Sequence, residues 1–525
     1  MRKLLVFLIG MLLFLQQGQS QNIARHYWLN KASYNHTLYP TSDGGYILAA
    51  ARSDLGFKIR NTIAVFKLDQ NYQIQNSRII GVPMGVDEKG IVNFEIHDVV
   101  ETMVEIVDDD GDVIEEIRYV ICGSMSRYTE GDAIGEDEEW NEEDPPIPMV
   151  AEAGMVLIID ANLQVQSFRR YLNVKTFYSV YADENHYYVC GKTPSTTTVA
   201  GNGIILRDNL FTMNPTSYRT AQPWVYHKLK LNTNGTDLIV SGTDYNEIGF
   251  TAFTTAGGSF APVNNTNPIT MPINPYESWK FSIPSLLPQI PLYLVYHSKV
   301  VLTNDPNNPQ GLILSAQAQS SPGVHGNEVL TFLFNNYQTQ PTVYAIDNLP
   351  VASYWSFLED VSTSPAGDIA WVGNIHIHNV GHTSAFYLST DLSFSNQADY
   401  ILFYSRLVHP DQYFALHKVH FNQNDGRFHC GGFYNHDNRN KTTFVASYPP
   451  FSSTQPPVSY NCNEMMLAPE ITQLQSPLPH SLPIIAIDVI GMNNPWYEKQ
   501  YNFCDTDCDE TPLNIPSNSN CGNQQ

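Results

Sequence analysis

Thr41-Ser42-Asp43-Gly44-Gly45-Tyr46-Ile47-Leu48-Ala49-Ala50 is a polar Asp-Gly turn followed by an apolar run that ends in small residues, the pattern of a hairpin feeding a buried strand. The unit recurs at Val120–Gly123, Tyr188–Gly191, Ile239–Gly242, Ile313–Ala316, Ala370–Gly373 and Phe428–Gly431. The preceding turns include Asp110-Gly111-Asp112, Asn234-Gly235-Thr236 and Asn424-Asp425-Gly426, residue types that reach turn dihedrals at least cost. After each run comes a further strand: Thr62–Leu68, Met155–Ile159, Gly203–Leu206, Phe250–Phe253, Val329–Phe334, Ser384–Leu388 and Thr442–Ser447. Short turns such as Asp69-Gln70-Asn71 and Asp160-Ala161-Asn162 then lead to a fourth segment.

The recurrences from Ala49 to Cys430 are spaced on average about 64 residues apart, enough for four strands and their loops. A single meandering sheet cannot bury both its faces and must stack against neighbours. The pattern therefore predicts an all-β chain, a seven-bladed β-propeller of four-stranded antiparallel blades over 21–452. His26-Tyr27-Trp28-Leu29 precedes the first unit without a partner, and the last unit runs out at Tyr448-Pro449-Pro450. The N-terminal strand 26–29 is thus expected to complete the last blade; the other closure uses Leu482 to Ile490. From 453 to 503 repeated prolines exclude a regular central strand and predict an extended segment packed on the propeller. Residues 504–525 read as a polar tail.

These hydrophobic-then-glycine strands resemble those of generic seven-bladed propellers of secreted bacterial type and are loosely similar to kelch repeats. The resemblance spans about 25–452 and implies a fold, with no enzyme family attached. Thr41-x-Asp43-x-Gly45 also resembles part of the Asp-box of sialidase-like propellers, but Leu48 replaces the aromatic and no Arg-Ile-Pro motif accompanies it.

The 525 residues carry 28 Lys+Arg against 52 Asp+Glu, a net charge of −24 that argues against a nucleic-acid partner. Arg2 and Lys3 precede the apolar run Leu4–Leu15, and Gly18-Gln19-Ser20 supplies small residues for cleavage, so 1–20 reads as a signal peptide. The expected product is secreted, periplasmic or extracellular, with no transmembrane span after signal removal. Of seven cysteines, Cys122, Cys190 and Cys430 fall at the small-residue position of their units and are expected to be buried and unpaired. Cys504 and Cys508 are the first candidates for a disulfide.

Alternating connections place the long loops on one face, where insertions in repeat proteins gather into binding surfaces. One of them is an acidic loop, 130–144, around Trp140, with calcium recruitment as its sharper reading and a solvated excursion as the plainer one. Trp224, Tyr276, Trp279 and Trp355 lie near crossovers and could stack on sugars or a partner's side chains, or fill space between blades. His376, His378, His382 and His436 could bind a transition metal if their loops converge. Asp108-Asp109-Asp110-Gly111-Asp112 lacks the first acidic ligand of a calcium loop and reads as a hairpin turn. No nucleophile elbow, zinc helix, phosphate loop or dinucleotide fingerprint occurs, and no cofactor is predicted. The function expected is non-enzymatic binding of a glycan, cell-surface component or exported protein. A polysaccharide hydrolase with carboxylates at the channel mouth and a structural envelope component are the alternatives.

Overall fold

The computed structural model describes residues 24–28, 33–52, 62–82, 90–107, 110–129, 149–195, 201–244, 247–263, 277–282, 293–303, 311–320, 327–335, 341–347, 354–377, 383–394, 399–403, 413–435, 441–451, 464–467, 470–475, 479–500 and 504–507. Blade 1 comprises Ser33–Pro40, Tyr46–Arg52, Thr62–Leu68 and Ile74–Gly81. Blade 2 comprises Gly90–Val107, Val113–Thr129, Met149–Asp160 and Val165–Tyr171. Blades 3 to 6 begin at Thr176–Ala182, Val225–Leu231, Tyr293–Leu302 and Tyr354–Thr363, and each adds further antiparallel strands in chain order. In blade 7, Tyr413–Asn422, Arg427–Asn435 and Lys441–Tyr448 are joined by Ala24–Trp28, which pairs antiparallel with the last of them. The first strands touch one another in succession and the last touches the first, so they line the axis of a closed seven-bladed propeller.

The runs singled out in the sequence are the second and third strands of each blade, sandwiched between others and therefore apolar on both faces, as in Tyr46–Arg52 and Thr62–Leu68, where every residue is buried. Gly44, Gly111, Gly235, Gly367 and Gly426 take positive φ at the tight turns between first and second strands. Cys122, Cys190 and Cys430 are buried free thiols. Val107 pairs with Val113 at the end of a hairpin whose strands run 18 and 17 residues; of the segment expected to turn there, Asp108 and Asp109 lie outside the described residues.

The C-terminal segment makes short edge strands. It runs round the rim against the blade order: Glu464–Leu467 pairs with blade 6, Glu470–Leu474 with blade 5, and Pro479–Ile487 with blades 4 and 3 in turn. Gly491–Asn493 then pairs with blade 2, Tyr497–Gln500 with blade 1 and Cys504–Asp507 with blade 7. Every blade thus gains an outer strand beyond the expected four. Leu482–Ile490 accordingly joins blades 3 and 4 instead of closing the ring, and the first residues of the expected polar tail, Cys504–Asp507, are a strand. An unpaired outer edge invites pairing with another chain, and proline is tolerated on an edge strand, so this belt suits its composition.

Every first strand carries a β-bulge at the same place: between Tyr34 and His36, Ile96 and Asp98, Phe177 and Ser179, Tyr226 and Lys228, Tyr296 and Lys299, Leu358 and Asp360, and Leu416 and Lys418. In five blades the residue before the bulge faces a glycine on the second strand: Gly123, Gly191, Gly242, Gly373 or Gly432. The bulge presses a carbonyl onto that glycine; a Cβ would lie 1.8 Å from Glu95 O at Gly123 and 1.9 Å from Ala415 O at Gly432. Gly432→Ala is expected to destabilise the protein by about 1–3 kcal/mol in denaturant unfolding, the usual cost of an overpacked site whose neighbour is backbone.

Candidate functional site

The bulges bring polar residues from six blades to the axis. Lys418 Nζ of blade 7 donates to Asp98 Oδ1 of blade 2 at 2.8 Å, reaching past blade 1. Lys228 of blade 4 bonds Asp360 of blade 6, reaching past blade 5, and also donates to Val361 O at 3.2 Å. Ser179 Oγ and the Val180 N–H, both of blade 3, complete Asp98 at 2.7 and 3.2 Å, and the Val419 N–H donates to Asp360 at 3.2 Å. Asp98 and Asp360 are 7% and 0% exposed. Burial by itself would raise both carboxyls, but Lys418 beside Asp98 and Lys228 beside Asp360 outweigh it and hold them below the usual range.

Lys299, from the bulge of blade 5, is buried near these pairs, and burial lowers its ammonium to about 8 against the pull of Glu359 and Asp360. Imidazoles line the same level. His97 packs on Tyr178 at 4.9 Å between ring centroids, Tyr178 on His227 at 5.4 Å, and His417 on His36 at 6.4 Å. Burial lowers His417, and it takes His420 down to about 3, so both stay neutral at physiological pH. Three blades supply lysines and two supply buried aspartates, and the ion pairs cross the opening. This layer acts as a cross-brace.

An open cleft of 330 Å³ lies at the outer rim between blades 2 and 3, on the side of the tight turns. Its floor is Arg169, which donates to Ser167 Oγ at 3.0 Å, Asp208 Oδ2 at 3.3 Å, Asn209 O at 2.5 Å and Leu210 O at 3.0 Å. Tyr171 Oη donates to the same Asp208 oxygen at 2.5 Å. Phe211, 50% exposed, stands on a loop tied by its own N–H to Asn209 Oδ1 and by the Asn214 N–H to Asp208 Oδ1. The other wall is the belt, with Asn493 and Trp496, the latter 38% exposed. Asn494 fixes the belt there through its N–H to Phe168 O at 2.7 Å, and the Leu172 N–H reaches Ile490 O at 2.9 Å.

Of the aromatics expected to meet a ligand, Trp224 is 1% exposed and packs against Gly203 and Gly242, filling space within the propeller; it offers no surface for stacking. Trp355 and His376 stand opposite each other in register on blade 6, and Trp279 lies in the fourth strand of blade 4 opposite Phe250. Trp140, Tyr276, His378, His382, His436 and Cys508 lie outside the described residues, as do most of the long loops, and the side chains of Trp279, Trp355, His376 and Cys504 are likewise outside them. Among the described residues no group of three or more His, Cys, Asp or Glu is placed to hold a metal, and no helix is long and apolar enough to cross a membrane.

Fold and site together define a seven-bladed propeller with an ion-paired axis and an open rim cleft. No family model matches the chain, and no curated protein matches it. Among solved structures it is similar to the S. cerevisiae core factor, with 6% identity, a TM-score of 0.29, and coverage of 83% of this chain but only 62% of that one. It is also similar to the Dos1 propeller, with 8% identity, a TM-score of 0.29, and coverage of 79% of this chain and 96% of that one. The fold assignment rests on the strand pairing described above.

Asp98→Asn leaves the Lys418 ammonium buried without its counter-charge and is expected to cost about 3–5 kcal/mol in denaturant unfolding; Asp98→Asn with Lys418→Met should recover most of that loss. Lys299 has a folded pKa below its unfolded one, so the unfolded state binds more protons between them and stability should rise with pH from about 8 to about 10. Lys299→Met should abolish that rise in melts across the window and raise stability at pH 7.

Proposed function

We propose that this is an exported, non-enzymatic binding propeller whose partner is a glycan, a cell-surface component or another exported protein. The observation that carries the reading is the state of the axial carboxylates. A hydrolase working at the channel needs one carboxylic acid that can donate a proton and one carboxylate free to attack or to activate water. Asp98 and Asp360 are buried, ion-paired and held ionised, so neither is suited to donate a proton or to reach a substrate. Glu359 accepts from Asn374 Nδ2 at 3.2 Å. The carboxylates of the axis are thereby committed to bonds among blades 2, 3, 4, 6 and 7, whereas recognition groups are open at the rim. The basic, apolar, small-residue order of 1–20 supports export.

The purified protein is expected to co-sediment with an insoluble polysaccharide or an envelope fraction without releasing reducing ends. Sugar release abolished by Asp98→Asn or Asp360→Asn in a variant that still folds would instead establish the hydrolase.

A further inference from the structure

We propose that the rim cleft between blades 2 and 3 binds a neutral sugar, one or two rings at the end of a glycan chain. The inference rests on the reading of the protein as a binding propeller and adds the place and the ligand class. Its 330 Å³ lies at the lower end of small-ligand sites, a size for a mono- or disaccharide and not for a folded partner.

Charge selects against an anion despite two arginines in the lining. Arg118 is paired with Glu116 at 2.8 Å, and Arg169 is 2% exposed with its guanidinium spent on Asp208, Ser167 and two carbonyls. What remains available is neutral and of both hydrogen-bonding senses. Gln166 uses its Nε2 on Asp160 at 3.0 Å, which leaves Oε1 as an acceptor. Ser167 Oγ accepts from Arg169 and keeps its hydroxyl proton to give. The Asn493 amide supplies a donor and an acceptor from the opposite wall. Above them Trp496 and Phe211 present exposed aromatic surface. Flat rings for the C–H face of a pyranose, with neutral amides and a hydroxyl for its hydroxyls, form a complementary set for a neutral polyol.

The cleft is also preorganised, which lowers the ordering cost of binding. Asp208 and Asn209 hold the Phe211 loop, Asn494 pins the belt beside Asn493, and Glu498 accepts from the Val165 N–H at 3.1 Å while pairing with Arg78 at 3.5 Å. The site exists only with the belt seated, since Asn493 and Trp496 belong to it.

Saturation-transfer NMR and calorimetric titration of the full chain with cellobiose, maltose and N,N′-diacetylchitobiose test this, with glucuronate and inorganic phosphate as anionic competitors. Transfer to at least one neutral disaccharide is expected, with affinity falling about tenfold or more in Trp496→Ala and in Phe211→Ala, and with neither anion competing. The two variants lie on different elements, so loss in both at unchanged melting temperature reports the cleft and not an unseated belt. No transfer from any of the three sugars, displacement by phosphate or glucuronate, or unchanged affinity in both variants would overturn the proposal. If either variant still co-sediments like the wild type with its polysaccharide or envelope fraction, the cleft fails while the binding reading stands; product release would sink that reading itself.

Discussion

The fold turns on one close approach: in five of the seven blades a backbone carbonyl at the bulge lies on a glycine of the next strand, at a separation that leaves no room for a side chain. That contact lets the innermost strand bulge without breaking its ladder, and a bulge redirects the side chains that follow it. Repeated around the ring, it delivers Asp98, Ser179, Lys228, Lys299, Asp360 and Lys418 to one level. Blades 1 and 5 manage the same bulge opposite Ala51 and Gln317, so glycine is the commonest solution and not the sole one.

Charges gathered in this way would be costly to bury singly. They are tolerable because each aspartate accepts from a lysine and from backbone or hydroxyl donors, because Lys228 and Lys418 each reach past a blade to their aspartate, and because burial eases the third ammonium, Lys299, toward its neutral form. Adjacent blades are held by apolar packing between their faces; the axial pairs connect blades that share no face. Apolar packing therefore sets neighbours, and electrostatics sets the ring as a whole.

Much of this architecture was legible in the sequence, for a physical reason. The second and third strands are covered on both sides, so their apolar runs are continuous, and the turns before the second strands need residues that accept positive φ, as Gly44 and Gly426 do. Gly123, Gly191, Gly242 and Gly373, which end four of those runs, admit the bulge, a role that the apolar pattern does not display. The axial set leaves no pattern in the sequence because each blade supplies a single member at uneven intervals, as in Leu416-His417-Lys418 and Ile96-His97-Asp98. An extended segment over 453–503 was legible, but its pairing was not, because its strands are short, three residues in the case of Gly491–Asn493, and draw their pairing from the blades and not from a pattern of their own. The rim cleft could not be read for the same reason: Gln166 and Arg169 meet Asn493 and Trp496 only after the belt has gone round most of the rim.

The two outermost described strands, Ala24–Trp28 and Cys504–Asp507, are hydrogen-bonded neighbours with Arg25 opposite Asp507. Ala24 and Asp507 consequently lie at the same end of one ladder. Tension drawn between them would open that ladder like a zip, one pair of bonds after another, instead of shearing all of them together. A protein held at these two strands would yield first at this ladder.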